Sequence, residues 1–426
     1  MNFGIIYLSL ISDKDWFFVY NCTQTSNLLL FTNVITRMFT FVETKKTMLK
    51  HELFLEKKLF GRYVTNDHIQ PLINQLKEVV EVKKVGLSVD KKPICALTFG
   101  SGKKRILAWS QMHGNESTTT KALFDFFNTL NKKEKSIEKM LSECTFCVIP
   151  MLNPDGAEKY TRFNANEVDL NRDAQKLSQP ESQVLKKVYD EFIPDYCFNL
   201  HGQRTIFSAG YSSNSSVMSF LSPAENTQRA VTKTRKIAME VILAVNSVIK
   251  SGLPNQVSRY DDGFNPDCVG DAFQMLGTPT ILFEAGHYPG DYQREVTRKH
   301  VFIALIAAFE AIALNDFDGS SYQEYVKLPE NQKLFFDIII RNVIGGAGKT
   351  IDVAIQHEEV LDCGVVRFVP KISKVGDLSE FFGHKEIDGE NNIILINKSG
   401  IIDDSLLIID EISINEVDFA RNIAVI

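Results

Sequence analysis

The chain has 426 residues, with 47 basic against 53 acidic side chains and a formal charge of −6. Its 44% hydrophobic and 23% charged residues are those of a globular protein and exclude a disordered or fibrous chain. Mild acidity argues against a nucleic-acid partner, which calls for a basic face, and no run reaches the about 18 apolar residues of a spanning helix, so no membrane partner is expected. At about 150 residues per domain, the length fits one large domain with appendages, or two domains.

Residues 1–47 read as an extension of doubtful structure. Phe3–Ser12 is apolar enough for a signal-peptide core, but no Lys or Arg precedes it, Asp13-Lys14-Asp15 follows, and no small-residue cleavage site is evident. Met38 and Met48 are alternative starts, and a cytoplasmic location is expected. Beyond this segment, helical periodicity marks Ile69–Val79, Thr118–Leu130, Glu181–Phe192, Glu225–Ile249 and Val301–Leu314. Short apolar runs between them predict strands at Ile94–Phe99, Arg105–Trp109, Thr145–Met151, Tyr196–Leu200 and Thr280–Phe283. They lack strict alternation, as strands covered on both faces do. Interleaved strands and helices predict an α/β sheet with helices on both sides. After Asp318 a helix is expected over Leu328–Asn342, then a small β-rich appendage with strands at Ile351–Ile355, Val365–Val369, Ile393–Ile396 and Leu406–Ile409. The domain reading is 48–320 for the main domain and 321–426 for the C-terminal helix and β-rich part.

Seven cysteines spread over this length do not make a disulfide framework. Cys144 and Cys147 form a C-x-x-C, but they lie in an apolar strand with no second pair nearby and read as core thiols. Gly345–Thr350 ends like a phosphate loop, yet Val343 stands where that pattern needs glycine. Gly100-Ser101-Gly102 reads as a hairpin turn between two strands.

The polar residues gather at the carboxyl ends of the predicted strands, where open α/β sheets bind ligands. Arg105–Trp109 leads into His113-Gly114-Asn115-Glu116, Thr145–Met151 into Asn153-Pro154-Asp155-Gly156, Tyr196–Leu200 into His201, and Thr280–Phe283 into Glu284. His113 and Glu116 are three residues apart across Gly114, and His201 follows 85 residues after Glu116. Two imidazoles and one carboxylate form a catalytic zinc set with a fourth position for water. The H-x-x-E pair alone is a common chance match, but it is followed by Asn153–Gly156, Arg162 and Asp169-Leu170-Asn171-Arg172.

With these motifs in this order, residues 95–290 resemble the zinc carboxypeptidase family, the carboxypeptidase A-like metallopeptidases. The resemblance implies a mixed, roughly eight-stranded twisted sheet with helices on both faces and one zinc ion. It implies that His113, Glu116 and His201 bind zinc, that Asn171 and Arg172 hold a substrate's terminal carboxylate, that Arg162 stabilises the oxyanion, and that Glu284 is the general base. The implied partner is a peptide with a free C-terminus. The chemistry is coherent on its own terms. Zinc lowers the pKa of bound water from about 16 to about 7, a spare carboxylate can move the water proton to the leaving amine, and one well-placed donor at an oxyanion contributes about 3–4 kcal/mol. A guanidinium fork suits a carboxylate better than an ammonium does.

Three points stay open in the sequence. The family often has a mobile tyrosine covering the substrate; Tyr260, 24 residues before Glu284, is chosen over Tyr211 and Tyr288. The side-chain pocket falls near Val269–Phe273, with Asp271 favouring a basic and Val269 an apolar terminal residue. His287 reads as a loop histidine near the general base. The alternative function is an amidohydrolase or deacylase of small N-acyl amino acids or cell-wall peptides on the same scaffold; a binding module without catalysis is disfavoured because every catalytic position is filled.

Overall fold

A computed structural model describes residues 51–396 except 133, 346 and 347, with short strand segments at 10–12, 15–16, 399–400, 412–414 and 417–418. The chain divides by its internal packing into residues 1–49 and 50–426. The second unit carries both large sheets and every candidate site residue. The expected strand at Leu406–Ile409 lies outside the described residues.

Eight strands form the main sheet: β1 Glu81–Leu87, β2 Pro93–Gly100, β3 Lys104–Ser110, β4 Cys144–Ile149, β5 Tyr196–Gly202, β6 Met218–Leu221, β7 Val257–Arg259 and β8 Thr280–Ala285. Their order is β7-β6-β8-β5-β3-β4-β2-β1. The central four (β8, β5, β3, β4) are mutually parallel, while β2 joins β4, β1 joins β2 and β6 joins β8 antiparallel. The mixed, eight-stranded α/β sheet expected from the resemblance is therefore present. β1, β6 and β7 went unseen in the sequence. The first is a polar edge strand (Glu-Val-Lys-Lys-Val-Gly-Leu), and the other two have four and three residues, too few to show a period.

Alternate residues on each central strand face opposite layers. Leu107 and Trp109 of β3, with Cys147 and Ile149 of β4, pack on the helix Pro180–Phe192 and on Val269 and Phe273. On the other face Phe146, Phe126, Phe198 and Phe309 form a ring cluster with centroids 5.0–6.4 Å apart. Phe309 belongs to the helix Glu295–Leu314, which is apolar on nearly every side and accordingly buried between Thr118–Phe127 and Lys233–Ile249. The last of these was expected from Glu225. It starts instead at Lys233, because Thr232 caps it by accepting from the Arg235 amide.

Two readings of turns change. The Gly100–Gly102 segment is not a hairpin, since β4 lies between β2 and β3. Its glycines let the chain pass against the start of β4: a methyl at Gly102 would sit 1.8 Å from the Glu143 carbonyl carbon. Cys144 and Cys147 are buried strand residues whose thiols burial pushes up to about 12 and about 11, so they are inert.

The second sheet contains β9 Phe335–Ile344, β10 Thr350–Asp362, β11 Val365–Gly376 and β12 Phe382–Asp388, in the order β11-β10-β9-β12. The helix expected over Leu328–Asn342 is overturned: most of that segment is β9. Its continuous apolar run is the run of a strand covered on both faces, with Ile338 and Ile340 in one small core and Ile339 in another. β9 and β10 pair antiparallel, and between them Gly345 donates to the Lys349 carbonyl at 3.0 Å, so the Gly345–Thr350 motif joins two strands rather than opening a helix.

Asp125, on the helix beneath the sheet, is fully buried and accepts from Arg298 Nε and Nη2 at 2.7 and 2.6 Å and bonds His51 Nε2 at 2.9 Å. Burial raises its carboxyl, but His51 and Arg298 outweigh burial and leave it below its ordinary value of 3.8. A lowered carboxyl contributes stability above its unfolded pKa and loses it as pH falls through the folded value. Asp125→Asn is expected to cost about 3 kcal/mol at neutral pH by removing the buried charge facing Arg298, which keeps only Glu295 as an ion-pair partner among the described residues, and to flatten the acid limb of stability against pH in urea titrations.

Candidate metal centre and active site

Because β3, β4, β5 and β8 are parallel, their carboxyl ends share one edge, and the loops beyond them carry the four motifs. Pairing of β8 with β5 sets Glu284 directly opposite His201. The remaining convergence depends on how the first two motifs interlock. Gly114 lies against the helix Pro154–Lys159, and a methyl there would sit 1.9 Å from the Gly156 carbonyl carbon. Asn153 caps that helix through the Gly156 amide at 2.9 Å, and its Nδ2 donates to the carbonyls of Met112 and Phe163 at 3.1 and 3.2 Å. One amide thus ties the His113 loop to the segment bearing Arg162. Asp155 is buried structure: it accepts from Ser88 Oγ at 2.8 Å and the Asp90 amide at 3.0 Å.

Donor atoms of His113, Glu116 and His201 all lie within 4.8 Å of one another. His113 Nδ1 is 2.8 Å from Glu116 Oε1, His201 Nδ1 is 3.0 Å from Glu116 Oε2, and the two Nδ1 atoms are 3.1 Å apart. Tetrahedral ligands at about 2.0–2.1 Å from zinc are separated by about 3.3 Å, so the donor set fits that ion in type and spacing. Burial alone would raise Glu116, but the two imidazoles outweigh it and hold the carboxylate well below its ordinary range. His201 is pushed down by burial, towards the neutral ligand form. Glu116 is further anchored by the Gly202 amide at 2.9 Å.

Asp169 received no role in the sequence, although it stands in the motif. Its Oδ1 faces His113 Nε2 at 3.1 Å and its Oδ2 accepts from Arg162 Nε at 2.9 Å. Such a carboxylate fixes the ring's orientation and tautomer. Its place beside an arginine in the motif was the available signal. Arg162 Nη1 approaches Glu116 Oε1 at 3.6 Å, which sets the guanidinium beside the metal set. Glu284 is half-buried, and its buried Oε2 has no partner among the described residues. Burial, then the negative charge of Glu116, push its carboxyl well above the ordinary value, with Arg162 opposing. Tyr260 is half-buried near these groups: burial and the charges of Glu284 and Glu116 raise its phenol. Tyr211 is exposed.

Asn171 and Arg172 lie further along, at the end nearest the helix Val269–Met275. Asn171 Oδ1 accepts from the Val269 amide at 2.9 Å, while Arg172 is exposed and donates to the Asn171 carbonyl at 2.6 Å. Of the two pocket rivals, Val269 is in the apolar core and Asp271 is buried with its carboxyl pushed by burial up to about 6. His287 is no ordinary loop residue. It is buried, with its ring 4.3 Å from that of His384 and 4.7 Å from that of Tyr292.

Residues 65–265, just under half of the chain, match the family model for zinc carboxypeptidases. It is similar to carboxypeptidase 2 of Trichophyton rubrum, 29% identical over 100 residues that cover 23% of this chain and 19% of that one. Carboxypeptidase E of Caenorhabditis elegans is 24% identical over 169 residues, 31% of this chain and 36% of that one. The chain thus spans about a fifth to about a third of the length of these curated relatives. A carboxypeptidase-like structure from Shewanella denitrificans shares the fold at a TM-score of 0.50, 17% identical over 59% of this chain and 70% of that one.

Asp169→Asn is expected to weaken zinc affinity about 10- to 100-fold by loosening His113, read by competition with a chromogenic chelator.

Proposed function

We propose that the protein is a zinc-dependent metallocarboxypeptidase that hydrolyses the C-terminal peptide bond of peptides. The observation that carries this reading is the meeting of a two-imidazole, one-carboxylate donor set with a second, half-buried carboxylate, Glu284, on the neighbouring parallel strand, its buried Oε2 without a partner among the described residues. When bound, zinc supplies Lewis acidity and lowers the pKa of a bound water to about 7. Glu284 is suited to take a proton from that water and return it to the departing amine, because burial and Glu116 make its carboxylate a stronger base than a surface glutamate. Arg162, held on Asp169, offers its Nη groups where negative charge develops on the scissile oxygen. Asn171 keeps its Nδ2 for a terminal carboxylate, since Oδ1 is used by Val269, and exposed Arg172 presents a fork beside it. Tyr260 is assigned to cover the bound chain.

The deacylase alternative is not favoured: the Trichophyton and Caenorhabditis relatives are carboxypeptidases. We assign residues 48–320 to the catalytic domain and 321–426 to a β-rich C-terminal domain, with residues 1–47 as an extension.

Glu284→Gln is expected to lower kcat about 10²- to 10⁴-fold on peptides with a free C-terminus while retaining one zinc per chain. Near-normal turnover by this variant, or equal turnover of amidated peptides by the native protein, contradicts the reading.

A further inference from the structure

A cavity of about 530 Å³ opens between the metal donors and the second sheet. Its inner wall carries Asn115, Glu116, Arg162, Gly202 and Arg204; its outer wall carries Gln356, Glu358, Glu359 and Lys371 of β10 and β11. Asn171, Arg172, Tyr260 and Glu284 are not among its lining residues. A peptide whose terminal carboxylate sits at Asn171 and Arg172, and whose scissile carbonyl lies by Arg162 and Glu116, therefore has its preceding residues directed into this cleft.

The charges of the walls do not balance. Arg62 pairs with Glu359 at 2.9 Å, Lys371 pairs with Glu358, and Arg162 pairs with Asp169. Asp337 is used by the Tyr292 hydroxyl at 3.0 Å and the His357 amide at 2.7 Å. Two guanidinium groups are left without a carboxylate. Arg294 is buried and donates only to the carbonyls of Ala285 and Gln203, both at 3.0 Å, with its Nε unpartnered. Burial and the neighbouring charge of Arg62 push it down to about 10, with the charges of Glu359 and Asp291 opposing the shift. Arg204 is exposed at the mouth, three residues after His201, and has no partner among the described residues.

We propose that this cleft receives the substrate segment on the N-terminal side of the scissile bond, and that Arg204 pairs with an acidic side chain of that segment. The assignment rests on the carboxypeptidase reading and deepens it: the outer wall comes from the C-terminal sheet, so that sheet helps choose the substrate. A free carboxylate suits this place because Arg204 needs no existing pair broken to bind it, and Arg294, bonded only to carbonyls, adds positive charge behind it.

The test uses full-length, zinc-loaded protein and N-acetylated tetrapeptides of mixed C-terminal residue, with Glu, Gln or Lys in the positions before the scissile bond. Glu peptides are expected to exceed Gln peptides about fivefold in kcat/KM, the upper range for a solvent-exposed ion pair, with Lys peptides lowest. The Glu-to-Lys ratio is expected to fall towards one in Arg204→Ala, to invert in Arg204→Glu, and to shrink in the native protein at about 1 M salt. Equal cleavage of Glu and Lys peptides, or a Glu preference that survives Arg204→Glu, overturns the assignment while cleavage of Gln peptides keeps the carboxypeptidase reading standing. If the zinc-loaded protein cleaves none of the peptides, that reading fails and the assignment with it.

Discussion

Two buried imidazole nitrogens 3.1 Å apart, both against one half-buried carboxylate, are the constraint on which the rest of the site depends. Lone pairs of that kind repel unless a proton or a cation lies between them. Holding them together in a buried place requires rigid support, and the surrounding structure supplies it. Asn153 staples the His113 loop to the Arg162 segment, Gly114 and Gly156 allow the two loops to touch, Asp169 steadies His113, and the β5–β8 pairing brings Glu284 opposite His201. The chemistry proposed for Glu284 follows from the same crowding, since the charge of Glu116 is part of what makes it basic.

The His113, Glu116 and His201 cluster and the facing Glu284 were legible because they are local. Each sits in a short motif just past a parallel strand, and parallel strands put their carboxyl ends on one edge regardless of loop length. The central strands were legible for a related reason: being covered on both faces, they read as unbroken apolar runs. That same property misled at Leu328–Asn342, where β9 is also covered on both faces and its length suits a helix equally well. Glu225–Thr232 has helical spacing, but the Thr232 cap decides that the helix begins after it.

Long-range pairs left no trace in the sequence. Arg62 and Glu359 are 297 residues apart, yet they join at 2.9 Å and close one side of the cleft. Tyr160, at the end of the Asn153-capped helix, also donates to Glu359. Through these bonds a glutamate of the C-terminal sheet is fixed near the metal donors, so the β-rich region is part of the site's environment. The rings of His287, Tyr292, His357 and His384 extend the same junction with contacts of 4.3–5.2 Å. Among the described residues, no helix is long and apolar enough to cross a membrane.

The claim beneath all of this is that His113, Glu116 and His201 bind one zinc ion. Zinc-edge X-ray absorption on the purified protein tests it most directly. The account predicts one zinc per chain with only nitrogen and oxygen neighbours, two of them imidazoles at about 2.0–2.1 Å. Sulfur scatterers at about 2.3 Å, or protein that takes up no zinc on titration, would contradict it.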